Sequence, residues 1–275
     1  QGTDAALAMA MGHVIMKEYH ATGKSAYFNE YAKQYTDFPM LVLLKEKDGL
    51  LVPDYFLRAS HLADNLDETN NPEWKTLVLD AATGRIVAPS GSIGFRWGES
   101  GKWNLEQKDG SSRAAIDPQL SLLDKHDDIV SVGFPYFGGK DAGDLLERKV
   151  PVKKVTLADG TQALVTTVFD LSMANYGVDR GICPNAAKSY DDDVPYTPAW
   201  QVKHTGVKAQ DVITVAREFA DNADRTRGKS MVIVGAALNH WYHMDMTYRG
   251  VINMLMMCGC IGQSGGGWSH YVGQE

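Results

Sequence analysis

Met231-Val-Ile-Val-Gly235-Ala-Ala-Leu-Asn239-His240-Trp-Tyr-His243 decides how the rest of the chain is read. Its first residues are apolar and mostly β-branched, which predicts a short buried strand over 230–234. Gly235 ends that strand, and polar and aromatic residues follow at once. In open α/β sheets ligands sit beyond the carboxyl ends of the strands, so these residues are candidate contacts. His240 and His243 stand at i and i+3, a spacing open to metal ligands. No acidic third ligand accompanies them at a zinc-site spacing, and a hydrogen-bonded loop histidine is the plainer reading.

Towards the C-terminus a helix is expected over 247–257, followed by Gly259-Cys-Ile-Gly262-Gln-Ser-Gly265-Gly266-Gly267-Trp268. A helix C-cap needs one glycine, not this many. Such runs occur where backbone must pass close to a bulky ligand. No Lys-Ser/Thr follows the last glycine, which excludes a Walker loop. The glycines come after a helix, which excludes the dinucleotide fingerprint. At the other end of the chain, Gly2-Thr3-Asp4 leads into a helix expected over 5–19. A helix start offers free N–H groups and a positive dipole end to a phosphate, although an N-cap of this composition commonly serves only the helix.

Between these ends the texture changes. A second helix is expected over 26–35, broken by Asp37-Phe38-Pro39, with a buried strand over 40–44. From about 48 to 150, short β-prone runs (76–80, 93–97, 102–105) alternate with turn signals such as Pro89-Ser90-Gly91 and Lys108-Asp109-Gly110. This predicts an irregular β-rich insertion over 48–150 between two parts of an α/β domain, 1–47 and 151–275. Trp74, Trp97 and Trp103 within it are expected to anchor local packing. A hairpin is expected from 153–157 and 163–169, a helix opening at Thr197-Pro198, and an amphipathic helix over 211–221.

Bulk properties exclude several classes. The net charge of −7, with no basic stripe, argues against a nucleic-acid partner. No apolar run approaches the roughly 20 residues needed to span a bilayer, so membrane association would come through a partner. The cysteines are Cys183, Cys258 and Cys260, an odd set that makes no disulfide framework. Cys258-Gly-Cys260 is tighter than the usual metal-pair spacing and reads as buried thiols in a reducing compartment. The chain opens without Met and closes straight after a glycine-rich turn, so it is read as a piece of a longer protein. The residues alone thus predict an α/β domain with two glycine-rich edges suited to a large phosphorylated ligand, and name no reaction.

Gly2-Thr3-Asp4-Ala5-Ala6-Leu7, and the later succession from Val234-Gly235 through Gly265-Gly266-Gly267 to Gly273-Gln274, resemble the molybdenum enzymes that carry two molybdopterin guanine dinucleotides. Other stretches are similar to the alpha subunit of respiratory nitrate reductases. They include Asn71-Pro72-Glu73-Trp74-Lys75-Thr76, Gly91-Ser-Ile-Gly-Phe-Arg-Trp-Gly98, Gly101-Lys-Trp-Asn-Leu-Glu-Gln107 and Gly133-Phe-Pro-Tyr-Phe-Gly-Gly139. Arg217-Glu-Phe-Ala-Asp-Asn-Ala-Asp224, Leu238-Asn-His-Trp-Tyr-His243 and the glycine run 258–268 join them. The resemblance runs end to end and is weakest around 140–147 and 180–193.

The resemblance implies a Rossmann-like molybdopterin-enzyme domain and reduction of nitrate to nitrite at molybdenum in anaerobic respiration. Implied cofactors are molybdenum-bis(molybdopterin guanine dinucleotide) and, in the complete subunit, a [4Fe–4S] cluster. The aspartate that binds the metal and the cluster motif match nothing here, so no metal ligand is assigned and the chain alone is expected to be catalytically silent. Implied partners are an iron–sulfur beta subunit and a membrane haem gamma subunit, on the cytoplasmic side of the cell membrane. Gly2, Thr3, Asp4, Gly235, Asn239, His240, Gly262, Gly265, Gly266, Gly273 and Gln274 carry over as cofactor contacts. His240 is the candidate catalytic residue, donating to the cofactor or the bound oxyanion. Rival readings are nitrite oxidoreductase, a chlorate or selenate reductase, and a non-redox nucleotide- or pterin-binding module.

Overall fold

Ala, Leu and Met dominate the first turns of the chain, and they form α1 (Asp4–Ile15), continued by a wider π turn over Met16–His20. The structure is a computed structural model that describes residues 2–89, 107–136 and 144–271. Two compact units divide it: Gln1–Ala32 with Tyr176–Glu275, and Lys33–Asn175. In the first unit α1 is buried along most of its length and carries His13 inside. The His13 Nδ1–H donates to the Tyr176 carbonyl at 2.6 Å, which fixes the proton on Nδ1 because a carbonyl can only accept. His20, in the π turn, donates from Nε2 to the Met257 carbonyl at 2.9 Å. A second helix, α2 (Ala26–Tyr35), has the bounds the sequence predicts.

The second unit is built on a closed barrel of β1 (Leu41–Lys47), β2 (Leu50–Phe56), β5 (Asp128–Pro135), β6 (Leu145–Thr156) and β7 (Gln162–Thr167), in that order; β3 (Val78–Leu79) and β4 (Ile86–Val87) form a separate pair. Neighbours in the barrel are antiparallel except β2 and β5. Leu41 and Leu43 of β1 enter one apolar cluster, with Leu57, Leu77 and Val165. Val42 and Leu44 enter another, with Val132, Val150 and Val152. Side chains alternate along a strand, so an unbroken apolar run is what a strand buried on both faces requires. Helix α3 (Val168–Asn175) follows β7 and is pinned by Asp170, which accepts from the Leu122 N–H and the Ser121 hydroxyl at 2.7 Å each.

The barrel takes in β1 and β7, which the expected limits of 48 and 150 leave outside it. The β6–β7 hairpin forms where the Asp159-Gly160 turn predicts it. Trp74 is 54% exposed at the end of a short turn, so it is no packing anchor. Trp97, Trp103 and the strands expected at 93–97 and 102–105 lie outside the described residues.

The first unit resumes with α4 (Pro198–Thr205) and α5 (Ala209–Thr226). The Thr197 hydroxyl caps α4 by accepting from the Trp200 N–H. Then come β8 (Met231–Val234), α6 (Ala236–Asn239), α7 (Met244–Met257) and β9 (Gly267–His270). Strands β8 and β9 pair in parallel, Met231 with Gly267 and Val234 with His270. Strand β9 is not anticipated by the sequence reading. The burial expected for β8 is found at Val234, whereas Met231 is 44% and Ile233 77% exposed. Among the described residues no helix is long and apolar enough to cross a membrane.

Candidate functional site

Two close approaches tie the start of the chain to α7. A Cβ added to Gly2 would lie 3.0 Å from Cδ2 of Trp241, and one added to Gly250 would lie 3.3 Å from the Ala8 Cβ. Gly2 and Trp241 each precede their helix, while Ala8 and Gly250 sit in its second turn. Helices α1 and α7 therefore run side by side in the same direction, with their N-termini together. The single turn of α6 joins this end to Gly235 at the carboxyl end of β8. Gly2-Thr3-Asp4 and the 235–243 segment, from opposite ends of the sequence, are thus one neighbourhood.

The chemistry there is of two kinds. Two helix starts direct N–H groups and positive dipole ends outward, and neither the Thr3 nor the His243 side chain caps them. Asp4 and Asp245 add carboxylates in the first turns, favourable to the dipoles and able to accept from N–H donors. Asn239 Oδ1 is shut off from water and has no hydrogen-bond partner among the described residues. A buried amide oxygen left unpaired costs about 1–3 kcal/mol. His240 is exposed at the end of α6, and His243 opens α7 with a φ of 61°. Among the described residues no group of His, Cys, Asp or Glu could hold a metal ion.

The glycines separate by cause. Gly2 is at φ +72° and faces the Trp241 ring. Gly266 is required because a Cβ would strike the Gly228 carbonyl oxygen, where two backbone segments cross. Gly262 (φ +83°) and Gly265 (φ +85°) turn the exposed loop between, with open space beside them. Gly235 differs: its φ is −103°, which any residue adopts, and nothing stands within 4 Å of an added Cβ. Neither backbone strain nor packing explains that glycine. Gly273 and Gln274 lie outside the described residues. Cys258 and Cys260 are buried free thiols; burial raises both, Cys260 to about 11, so neither is a thiolate at neutral pH.

A pair that sequence reasoning passes over stands at the same end. Nε2 of His270, the last residue of β9, is 2.9 Å from the Tyr248 hydroxyl on α7. The signal was present in Trp268-Ser269-His270, which puts a tryptophan and a histidine on one face of a strand, but a glycine run hid the strand.

Comparison with known proteins places the chain in a family. The chain matches the Molybdopterin oxidoreductase family over residues 1–273. It is 58% identical over 284 residues to the respiratory nitrate reductase 1 alpha chain of Escherichia coli K12, and 55% over 287 residues to the respiratory nitrate reductase 2 alpha chain of that organism. Identity to the nitrate reductase alpha chain of Bacillus subtilis 168 is 48% over 275 residues. Each comparison covers all of this chain but only 23%, 23% and 22% of the relative, so the chain spans about a quarter of their length. With a match along nearly its whole length, the chain belongs to the molybdopterin oxidoreductase family.

Proposed function

We propose that this chain is the part of a nitrate reductase catalytic subunit that grips one end of a molybdenum–pterin cofactor, and that the complete protein reduces nitrate to nitrite. The reading of the site rests on one observation above others: the buried, unpartnered Asn239 Oδ1, four residues after a glycine that local structure does not require. The donor set suits a guanine dinucleotide form of the cofactor. Asn239 Oδ1 and the Asp4 carboxylate accept from the N–H edge of guanine or pterin. Gly235 leaves room for the ring or its linker, and the N–H groups at the starts of α1 and α7 receive phosphate. When bound, the cofactor supplies two-electron chemistry at molybdenum. Exposed His240 donates to a cofactor group or to the substrate oxyanion, holding charge as it develops.

In the same reading, the barrel unit, expected over 48–150 and running from Lys33 to Asn175, is an insertion in a Rossmann-like domain. A [4Fe–4S] cluster elsewhere in the subunit, an iron–sulfur beta subunit and a membrane haem gamma subunit bring electrons on the cytoplasmic side of the membrane. The test is nitrate-dependent oxidation of reduced viologen by the complete protein, with molybdenum measured in parallel. His240→Ala is expected to lower turnover roughly tenfold or more with molybdenum retained. Unchanged turnover would remove His240 from the mechanism, and no nitrate-dependent oxidation by the unmodified protein would sink the function.

A further inference from the structure

We infer that Tyr248 and His270 form a second anchoring element of this site, holding an oxyanion oxygen through the His270 Nδ1–H. The proposal rests on the cofactor-binding reading above and assigns it two residues outside its motifs. The pairing of Val234 with His270 sets this imidazole level with the end of β8, one residue from Gly235. The ring lies parallel to Trp268, at an interplanar angle of 6°, and Tyr248 meets both rings edge-on at 90° and 86°. Aromatic packing on that scale holds an imidazole in one orientation. Tyr248 Oη and Nε2 stand 2.9 Å apart; in the tautomer proposed, Oη donates to Nε2 and the ring proton is on Nδ1.

In that tautomer the Nδ1–H is a donor on a half-buried side chain. Its partner Tyr248 stands one turn into α7, and His270 lies at the end of the sheet from which α6 leads to the N-terminus of α7, which favours negative charge. A phosphate of the dinucleotide is the expected acceptor, and the substrate oxyanion has the same chemistry.

Two near-isosteric variants of the complete protein separate this role from a mere tie between α7 and β9. His270→Asn keeps a donor where Nδ1 stood and loses the bond to Tyr248. His270→Gln keeps a partner for Tyr248 and loses the Nδ1 donor. Pterin and guanine content after purification, with the thermal melting temperature, is the first readout, and KM for nitrate in the loaded fraction is the second. His270→Gln is expected to weaken cofactor retention roughly tenfold, the weight of one hydrogen bond to a charged group, while His270→Asn stays near normal. Full retention with a roughly tenfold rise in KM under His270→Gln alone would place the oxyanion on the substrate instead. Loss under His270→Asn alone, equal loss in both, or no change in either readout overturns the proposal. Asn239→Ala run alongside distinguishes the failures. If it sheds cofactor and His270→Gln does not, the pair alone has no role; if neither does, the cofactor-binding reading falls too.

Discussion

The backbone at Gly266 passes the Gly228 carbonyl oxygen so closely that even a methyl group cannot fit between them. Gly228 is itself crowded, by the Gly259 carbonyl and the Tyr27 hydroxyl, and that hydroxyl donates to the Gly259 carbonyl at 2.6 Å. The glycine run therefore carries a structural load independent of any ligand. Gly266→Ala is expected to destabilise the first unit by more than about 2 kcal/mol, since backbone must move. Gly262→Ala, with a positive φ but open space, is expected to cost about 1 kcal/mol. Urea midpoints of the two variants check the order; equal effects would contradict the crossing.

Buried neutral histidines make stability depend on pH. Burial holds His13 down to about 4, and His20 to about 4, from an ordinary value near 6.5. A histidine depressed in the folded state stays neutral there while the unfolded chain takes up a proton. Its contribution is complete above about pH 6.5 and is lost as pH falls towards 4. Each histidine contributes on the order of 3 kcal/mol across that window. Melting temperature is expected to hold from pH 8 to 7 and fall steeply between 6.5 and 4. A flat profile through that range would contradict the neutral burial of both rings.

Gly250 lets α7 lie against Ala8 of α1, and so sets the distance between the two helix starts. Gly250→Leu is expected to destabilise by about 1–3 kcal/mol through overpacking. Because it separates the N-termini, it is also expected to lower pterin content in the complete protein. Pterin assay on folded material checks the second effect, and full content would uncouple that helix contact from the site.

Local signals made much of the fold legible. Helix α2, the opening of α4 at Thr197-Pro198 and the hairpin at Asp159-Gly160 are decided by neighbours in sequence, and they stand where propensity and turn chemistry put them. The barrel was not legible, because its closure pairs β1 with β7, far along the chain, and no local pattern encodes that partner. Strand β9 was missed for a related reason: four residues after a glycine run become a strand only through β8. Exposed Ile233 shows the converse, an apolar run whose burial the described residues do not complete.

For the site, the 2–4 and 235–243 segments were legible as separate edges. Their meeting was not, since it depends on the parallel course of α1 and α7. The glycines were the hardest to read. Composition cannot distinguish one that turns a chain, as at 262, from one that admits a crossing, as at 266, or one that leaves room, as at 235. Only the neighbours of each missing Cβ separate these causes.

The most direct test of the central claim is the structure of the complete protein with its cofactor bound, read at one atom. Asn239 Oδ1 is predicted to accept a hydrogen bond from a ring N–H or amino group of the cofactor, within about 3.2 Å, with cofactor atoms filling the space beside Gly235. Asn239 paired instead to a protein group, with the cofactor elsewhere, would contradict the account.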